Sequence, residues 1–113
     1  MKLVIPRLKA DKFSLIKPWA FGLHHESRND ALFTYLGLTP ITDWREQQTA
    51  TPEAATLPKG TLLSIERYYI RQGNEQFDSV TFMIHEINGV ALKKKIRFWV
   101  KLDEACLAEF KYV

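Results

Sequence analysis

His24-His25-Glu26 sets two imidazoles beside a carboxylate, the residue types used for proton transfer or for holding a metal. The spacing argues against a shared metal. Adjacent residues on a strand face opposite sides, and no cysteine stands at ligand spacing from the pair. Arg28, Asn29 and Asp30 add polar groups just beyond, and Glu26 with Asp30 forms a carboxylate pair that a helix cap explains equally well. No G-x-S-x-G, P-loop, G-x-G-x-x-G or H-E-x-x-H pattern occurs. Five glycines are too few and too scattered to cradle a phosphate. Cys106, the single cysteine, is expected to be a small buried hydrophobe. No catalytic residue, metal or cofactor is therefore expected. A small enzyme using the His24-His25-Glu26 loop stands as an alternative.

A second set of residues points to binding. Arg67, Tyr69, Arg71, Lys93, Lys95, Arg97, Trp99 and Lys101 fall within residues 60–102. Cations with aromatic rings set among them are the arrangement that neutralises phosphates and stacks bases in single-stranded nucleic acid. Such a face also serves solubility and edge protection, and Trp99 is open to being covered by the N-terminal half of the chain.

The elements that must position these residues read as three antiparallel strands in a meander. Ile96, Phe98, Val100 and Leu102 point one way, and Lys95, Arg97, Trp99 and Lys101 the other. Val80, Phe82 and Ile84 oppose Ser79, Thr81, Met83 and His85 in the same manner. Asn88-Gly89 invites a two-residue hairpin turn, but that turn sets Phe82 against Lys95. A turn with an odd number of residues, or a bulge within Val90 to Lys94, places Phe82 opposite Ile96 and Val80 opposite Phe98. In the first strand Leu63 and Ile65 share one parity, Tyr68 and Ile70 the other. A bulge near Glu66-Arg67 reconciles them, with Ile70 opposite Val80, Tyr68 opposite Phe82 and Ile65 opposite Ile84.

Earlier in the chain, Lys2 to Leu8 has short strand character, with Pro6 marking an edge or bend. Phe13, Leu15, Trp19, Phe21 and Leu23 share one parity and predict a strand with one buried face, bulged or at an edge because of Pro18. Ser27 with Asp30 resembles a capping box before a helix at about 28–36, which Gly37 stops. Asp43 with Glu46 suggests another short helix over 42–50. Residues 49–58, TATPEAATLP, read as an exposed loop. The loop from Gln72 to Asp78 reads as a structural turn. Asp103 suits the cap of a short helix over Glu104 to Phe110, and Lys111 to Val113 a closing strand.

The bulk numbers agree with one domain over 1–113. The chain has 113 residues, 46% hydrophobic and 26% charged, within the globular range. The net charge of +3 and sequence pI near 9.1 permit a polyanionic partner and exclude an acidic DNA mimic. A single thiol suits a reducing compartment, and no apolar run approaches a membrane span, so a cytoplasmic protein is expected.

The run KGTLLSIERYYIRQGNEQFDSVTF, followed by KKIRFWVKL, resembles a pattern of small uncharacterised proteins of bacteriophages and related mobile elements. The likeness covers residues 60–102 and carries no catalytic residues. It implies a phage or plasmid setting, where small basic β-rich proteins bind nucleic acid or block a host protein.

The expected fold is α+β: a small twisted antiparallel sheet, or an SH3-like or OB-like β-barrel, with one or two short helices. The expected function is non-catalytic binding of single-stranded nucleic acid or RNA through the basic–aromatic face. The alternative partner is a host protein, for example in an anti-defence role as inhibitor or adaptor. A homodimer through an exposed strand edge is open.

Overall fold

The computed structural model describes residues 11–70 and 78–113. The expected strand at Lys2 to Leu8, Arg71 and residues 72–77 of the expected turn lie outside the described residues. The chain runs β1 (Lys12–Leu15), β2 (Trp19–Leu23), a 3-10 turn (Ser27–Asn29), α1 (Asp30–Tyr35), α2 (Trp44–Thr49) and β3 (Glu53–Leu57). It continues with β4 (Leu62–Tyr69), β5 (Ser79–Ile87), β6 (Val90–Lys101), α3 (Leu102–Ala105) and β7 (Phe110–Tyr112). The class is α+β. A five-stranded sheet, order β6-β5-β4-β1-β7, is antiparallel throughout, and β2 pairs with β3 in a second, two-stranded sheet. Among the described residues the larger sheet stays open and closes no barrel. No helix there is long and apolar enough to cross a membrane.

The parity of residues 13–23 is as expected: Phe13, Leu15, Trp19, Phe21 and Leu23 are all buried. One strand has become two, however. Pro18 has no N–H to give a ladder. The chain turns through Ile16 to Pro18 and enters the second sheet, with Ile16 N–H bonded to the Glu109 carbonyl at 2.9 Å.

The reading of 49–58 as an exposed loop is corrected. Glu53 to Leu57 forms β3, pairing Trp19 with Leu57, Phe21 with Ala55 and Leu23 with Glu53. Ala55 and Leu57 are buried, and the other three residues are exposed. With an alanine as one of its two buried residues, the strand looks loop-like by composition. Its large cross-strand neighbours supply the apolar bulk.

In the meander the Asn88-Gly89 turn does hold two residues. Asn88 at φ 54° and Gly89 at φ 76° join Ile87 to its partner Val90, and the next pair is Glu86 with Ala91. Of the two expected arrangements, the odd turn is absent and the bulge in the following strand is present. The odd count lies in β6 instead, where Ala91 to Ile96 spans five steps against two from Glu86 to Ile84. That excess rotates β6 back into register. Phe82 then faces Phe98 and Val80 faces Val100, two residues from the expected partners and on the same face. The Phe82 and Phe98 rings stack at 5.5 Å. The bulge at Glu66 is present, but it sets Tyr68 opposite Val80, Ile65 opposite Phe82 and Leu63 opposite Ile84. Tyr68 and Ile65 each sit two residues along β5 from their expected partners, and Ile70, expected opposite Val80, lies beyond the end of β4 and is exposed. A second irregularity falls at His85.

The core lies between the two sheets, with Trp19 against Phe21 and Phe82, and Phe21 stacked on Phe98. α3 ties the sheets together: the Glu104 carbonyl accepts from Trp19 Nε1 at 3.1 Å and its carboxylate from Gly22 N–H at 3.3 Å. α3 is shorter than expected, and Lys101 stands at its N-cap position instead of Asp103.

Candidate functional site

The outer face of the five-stranded sheet is set by the parity of the core. Phe13, Ile65, Phe82 and Phe98 point inward, so Lys12 on β1, Ser64 and Arg67 on β4, Thr81 and Met83 on β5, and Arg97 and Trp99 on β6 point outward. Lys93, Lys95, Arg97, Arg67 and Tyr69 are exposed, and Lys101 is half-buried. Arg97 Nε bonds to the Glu66 carboxylate, which also lies 3.8 Å from Arg67 Nη2. Two guanidiniums therefore share one buried carboxylate, seated at the bulge. The bulge leaves Glu66 and Arg67 together on this face and switches the parity of the strand beyond it, so that Tyr68 lies opposite Val80.

At the other end of the face, Lys12 pairs with Ser64 across β1 and β4. Ser64 Oγ lies 2.7 Å from His85 Nε2. The bulge at His85 carries its ring toward Ser64. Burial lowers the His85 pKa first, and the charges of Lys12 and Lys95 lower it further. A lysine from each side thus reaches the field of one imidazole.

Trp99 departs most from the picture drawn by the alternation. It is 6% exposed. His24 stacks on its ring at 4.9 Å and 21°, and the Arg28 guanidinium lies 5.6 Å from the ring centroid. Trp99 Nε1 donates to the Glu26 carboxylate. The cover comes from the loop after β2 and the 3-10 turn, which packs with α1 along the β6 edge. Asn29, fully buried, fastens it: Oδ1 accepts from the Trp99 backbone N–H at 2.7 Å, and Nδ2 donates to the His24 carbonyl at 2.9 Å. The expected capping box is therefore not made. The Ser27 hydroxyl donates to Glu26 at 3.2 Å, and Asn29, at the N-cap position, spends its side chain on the sheet edge. α1 does stop where expected, in a Schellman arrangement with Gly37 at φ 76°, Leu38 N–H bonded to the Phe33 carbonyl and Gly37 N–H to Thr34.

The His24-His25-Glu26 loop splits its side chains. His24 lies on Trp99, whereas His25 stacks on Phe33 at 4.5 Å, accepts from Ile41 N–H at Nδ1 and faces Glu53 at Nε2. Among the described residues no group of three His, Cys, Asp or Glu side chains is placed to hold a metal ion. Burial raises the Glu26 carboxyl pKa, but hydrogen bonds from Trp99 and Arg28 and the Arg28 charge outweigh it and hold the pKa low. A carboxylate so occupied is a poor proton acceptor.

His24 is also pushed below its usual value of 6.5, by burial and then by Lys101 and His25. A histidine with a lowered folded pKa stabilises the fold fully above its unfolded value and loses that contribution as pH falls through it. Glu26 acts lower down, its contribution being present above 4.5 and lost as pH falls through its depressed folded value. The thermal midpoint should therefore drop between about pH 7.5 and about pH 5.5. His24→Phe, which keeps a ring on Trp99, should drop less, and equal drops in the two proteins would exclude His24 as a source.

An open groove of about 290 Å³ lies beside this cover, lined by His24, Glu26, Trp44, Gln47, Gln48 and Trp99 among others. It unites the histidine loop, Trp99 and α2. Nothing in the sequence linked these three: parity assigns Trp99 to a face but does not reveal what crosses that face.

No protein-family model, no curated protein and no solved structure matches this chain.

Proposed function

We propose that this chain is a non-catalytic binding protein that holds single-stranded nucleic acid on the outer face of its five-stranded sheet, in a phage or mobile-element setting. The observation that supports it is the set of cations on one face. Lys12, Arg67, Lys95 and Arg97 come from three strands, and Glu66 is the carboxylate that two of them share. Like charges gathered on one side of a sheet repel each other, and a polyanion relieves that repulsion. Tyr69, 44% exposed on the same face, offers a ring for base stacking. Trp99 is covered and takes no part in this surface.

A fluorescent oligonucleotide should bind with a steep salt dependence. Lys95→Ala and Arg97→Ala should each weaken binding and each lower the slope of log K against log salt by about 0.7 per lost phosphate contact. Tyr69→Ala should weaken it about five-fold or more with the slope unchanged. Absence of binding at low salt sinks the reading. In that case a stoichiometric protein partner that survives nuclease treatment would support the host-protein alternative.

A further inference from the structure

The groove beside the Trp99 cover is not used by the phosphate-binding face. One of its walls is unusual. α2 has six residues and no buried side chain. Asp43 caps it by accepting from Arg45 N–H at 2.9 Å, and Gln47 Nε2 donates to the Ile41 carbonyl at 2.6 Å. A helix this short has little stability of its own, and α2 gains none from burial in the core. It nevertheless carries Trp44, whose indole is 61% exposed. An exposed ring at the rim of a cleft is available for stacking contact.

His24, lying on Trp99, also lines the groove. Gln48, an exposed amide, and His24 supply donors and acceptors to the same groove. Cations stand beside them: the Arg45 guanidinium is 5.6 Å from the Trp44 ring centroid, and the charge of Lys101 acts on His24. At about 290 Å³ the groove lies at the small end of ligand sites. Flat aromatic walls, an amide and an imidazole at the edge, and cations nearby match a base joined to a phosphate. Trp99 also belongs to β6 on the outer-face side, so the groove continues that face.

We propose that the groove between residues 24–26 and α2 is a nucleobase subsite, in which one base of a strand held on the outer sheet face stacks on Trp44 and bonds to Gln48 and His24. This rests on the nucleic-acid reading above and adds to it the place where a base, rather than a phosphate, is held.

The test titrates AMP into the full chain, with ribose 5-phosphate as a base-free control. It follows the Trp44 indole N–H and the Gln48 side-chain amide by NMR. AMP should shift both signals and ribose 5-phosphate neither. Trp44→Ala should keep the native fold, since α2 buries nothing, and should weaken AMP about five- to a hundred-fold, read at the Gln48 amide. A strand with one abasic position should bind the native chain less tightly than the intact strand, and Trp44→Ala should erase that difference. Equal response to AMP and ribose 5-phosphate, or silence at both signals, overturns the subsite. If oligonucleotides bind while AMP leaves Trp44 and Gln48 unmoved, the subsite falls and the sheet-face reading stands. If AMP binds in the groove and oligonucleotides do not bind at all, the subsite stands and the sheet-face reading falls.

Discussion

Trp99→Ala should destabilise the fold by about 3–5 kcal/mol, the usual cost of deleting a buried aromatic side chain. The ring is 6% exposed, so its removal opens a cavity under the 24–29 segment. It also takes away the surface on which His24 lies, the ring beside the Arg28 guanidinium and a hydrogen-bond donor to Glu26. At about 4 °C per kcal/mol for a domain of this size, the thermal midpoint should fall by roughly 12–20 °C. Trp99→Phe keeps most of the packing and loses the indole N–H, so it should cost about 1–2 kcal/mol. Urea denaturation of the three proteins gives the values. A loss below about 1 kcal/mol for the alanine variant would contradict a buried Trp99. The same numbers bear on binding assays: nucleic-acid affinity lost by Trp99→Ala has to be compared at temperatures where the variant is folded.

Asn29→Ala should cost about 2–4 kcal/mol, although it removes only a small polar side chain. Two partners lose their bonds at once, the buried Trp99 N–H and the half-buried His24 carbonyl, each worth about 1–3 kcal/mol when left unsatisfied. Amide hydrogen exchange supplies a local readout, and Trp99 N–H should exchange faster in the variant than its strand neighbours do. Asn29→Asp separates the two halves of the interaction. The aspartate still accepts from Trp99, but an ionised carboxylate cannot donate to the His24 carbonyl and is buried beside it. Asp should therefore fail to rescue at neutral pH and recover part of the loss in acid, where protonation restores a donor. The native pH trend must be subtracted in that comparison. Full stability of Asn29→Asp at neutral pH would refute the assignment of Asn29 as donor to His24.

Much of the sheet was legible because its core alternates with period two. Phe13 to Leu23, Val80 to Ile84 and Ile96 to Val100 carry their inward residues at every second position, and burial follows them. Parity fixes a face but not a partner. The partners of Val80, Phe82 and Ile84 are therefore shifted along the strands from their expected places while these three residues keep the inner face, and Ile70, expected on that face, lies beyond the end of β4 and is exposed. The Asn88-Gly89 turn kept its ordinary two-residue form because its local φ preferences are met there. The correction went into Leu92 to Lys95, where exposed lysines cost little when the ladder is interrupted. β3 was illegible because one of its two buried residues is an alanine. The cover over Trp99 was illegible for another reason: it joins residues some 70 positions apart, through an asparagine whose sequence context matches an ordinary helix start.

The Asn29 side chain also bears on how the protein behaves at high concentration. β6 is a 12-residue strand at the end of its sheet, and such an edge presents unpaired amides on which another chain can assemble. Asn29 occupies the Trp99 amide, so the apolar end of that edge is already terminated by a side chain. Lys93, Lys94 and Lys95 sit where the ladder is irregular and repel a second copy at the other end. Among the described residues this edge is thus closed by the 24–29 segment with its Asn29 amide, by α1 and by three charges, and not by another strand.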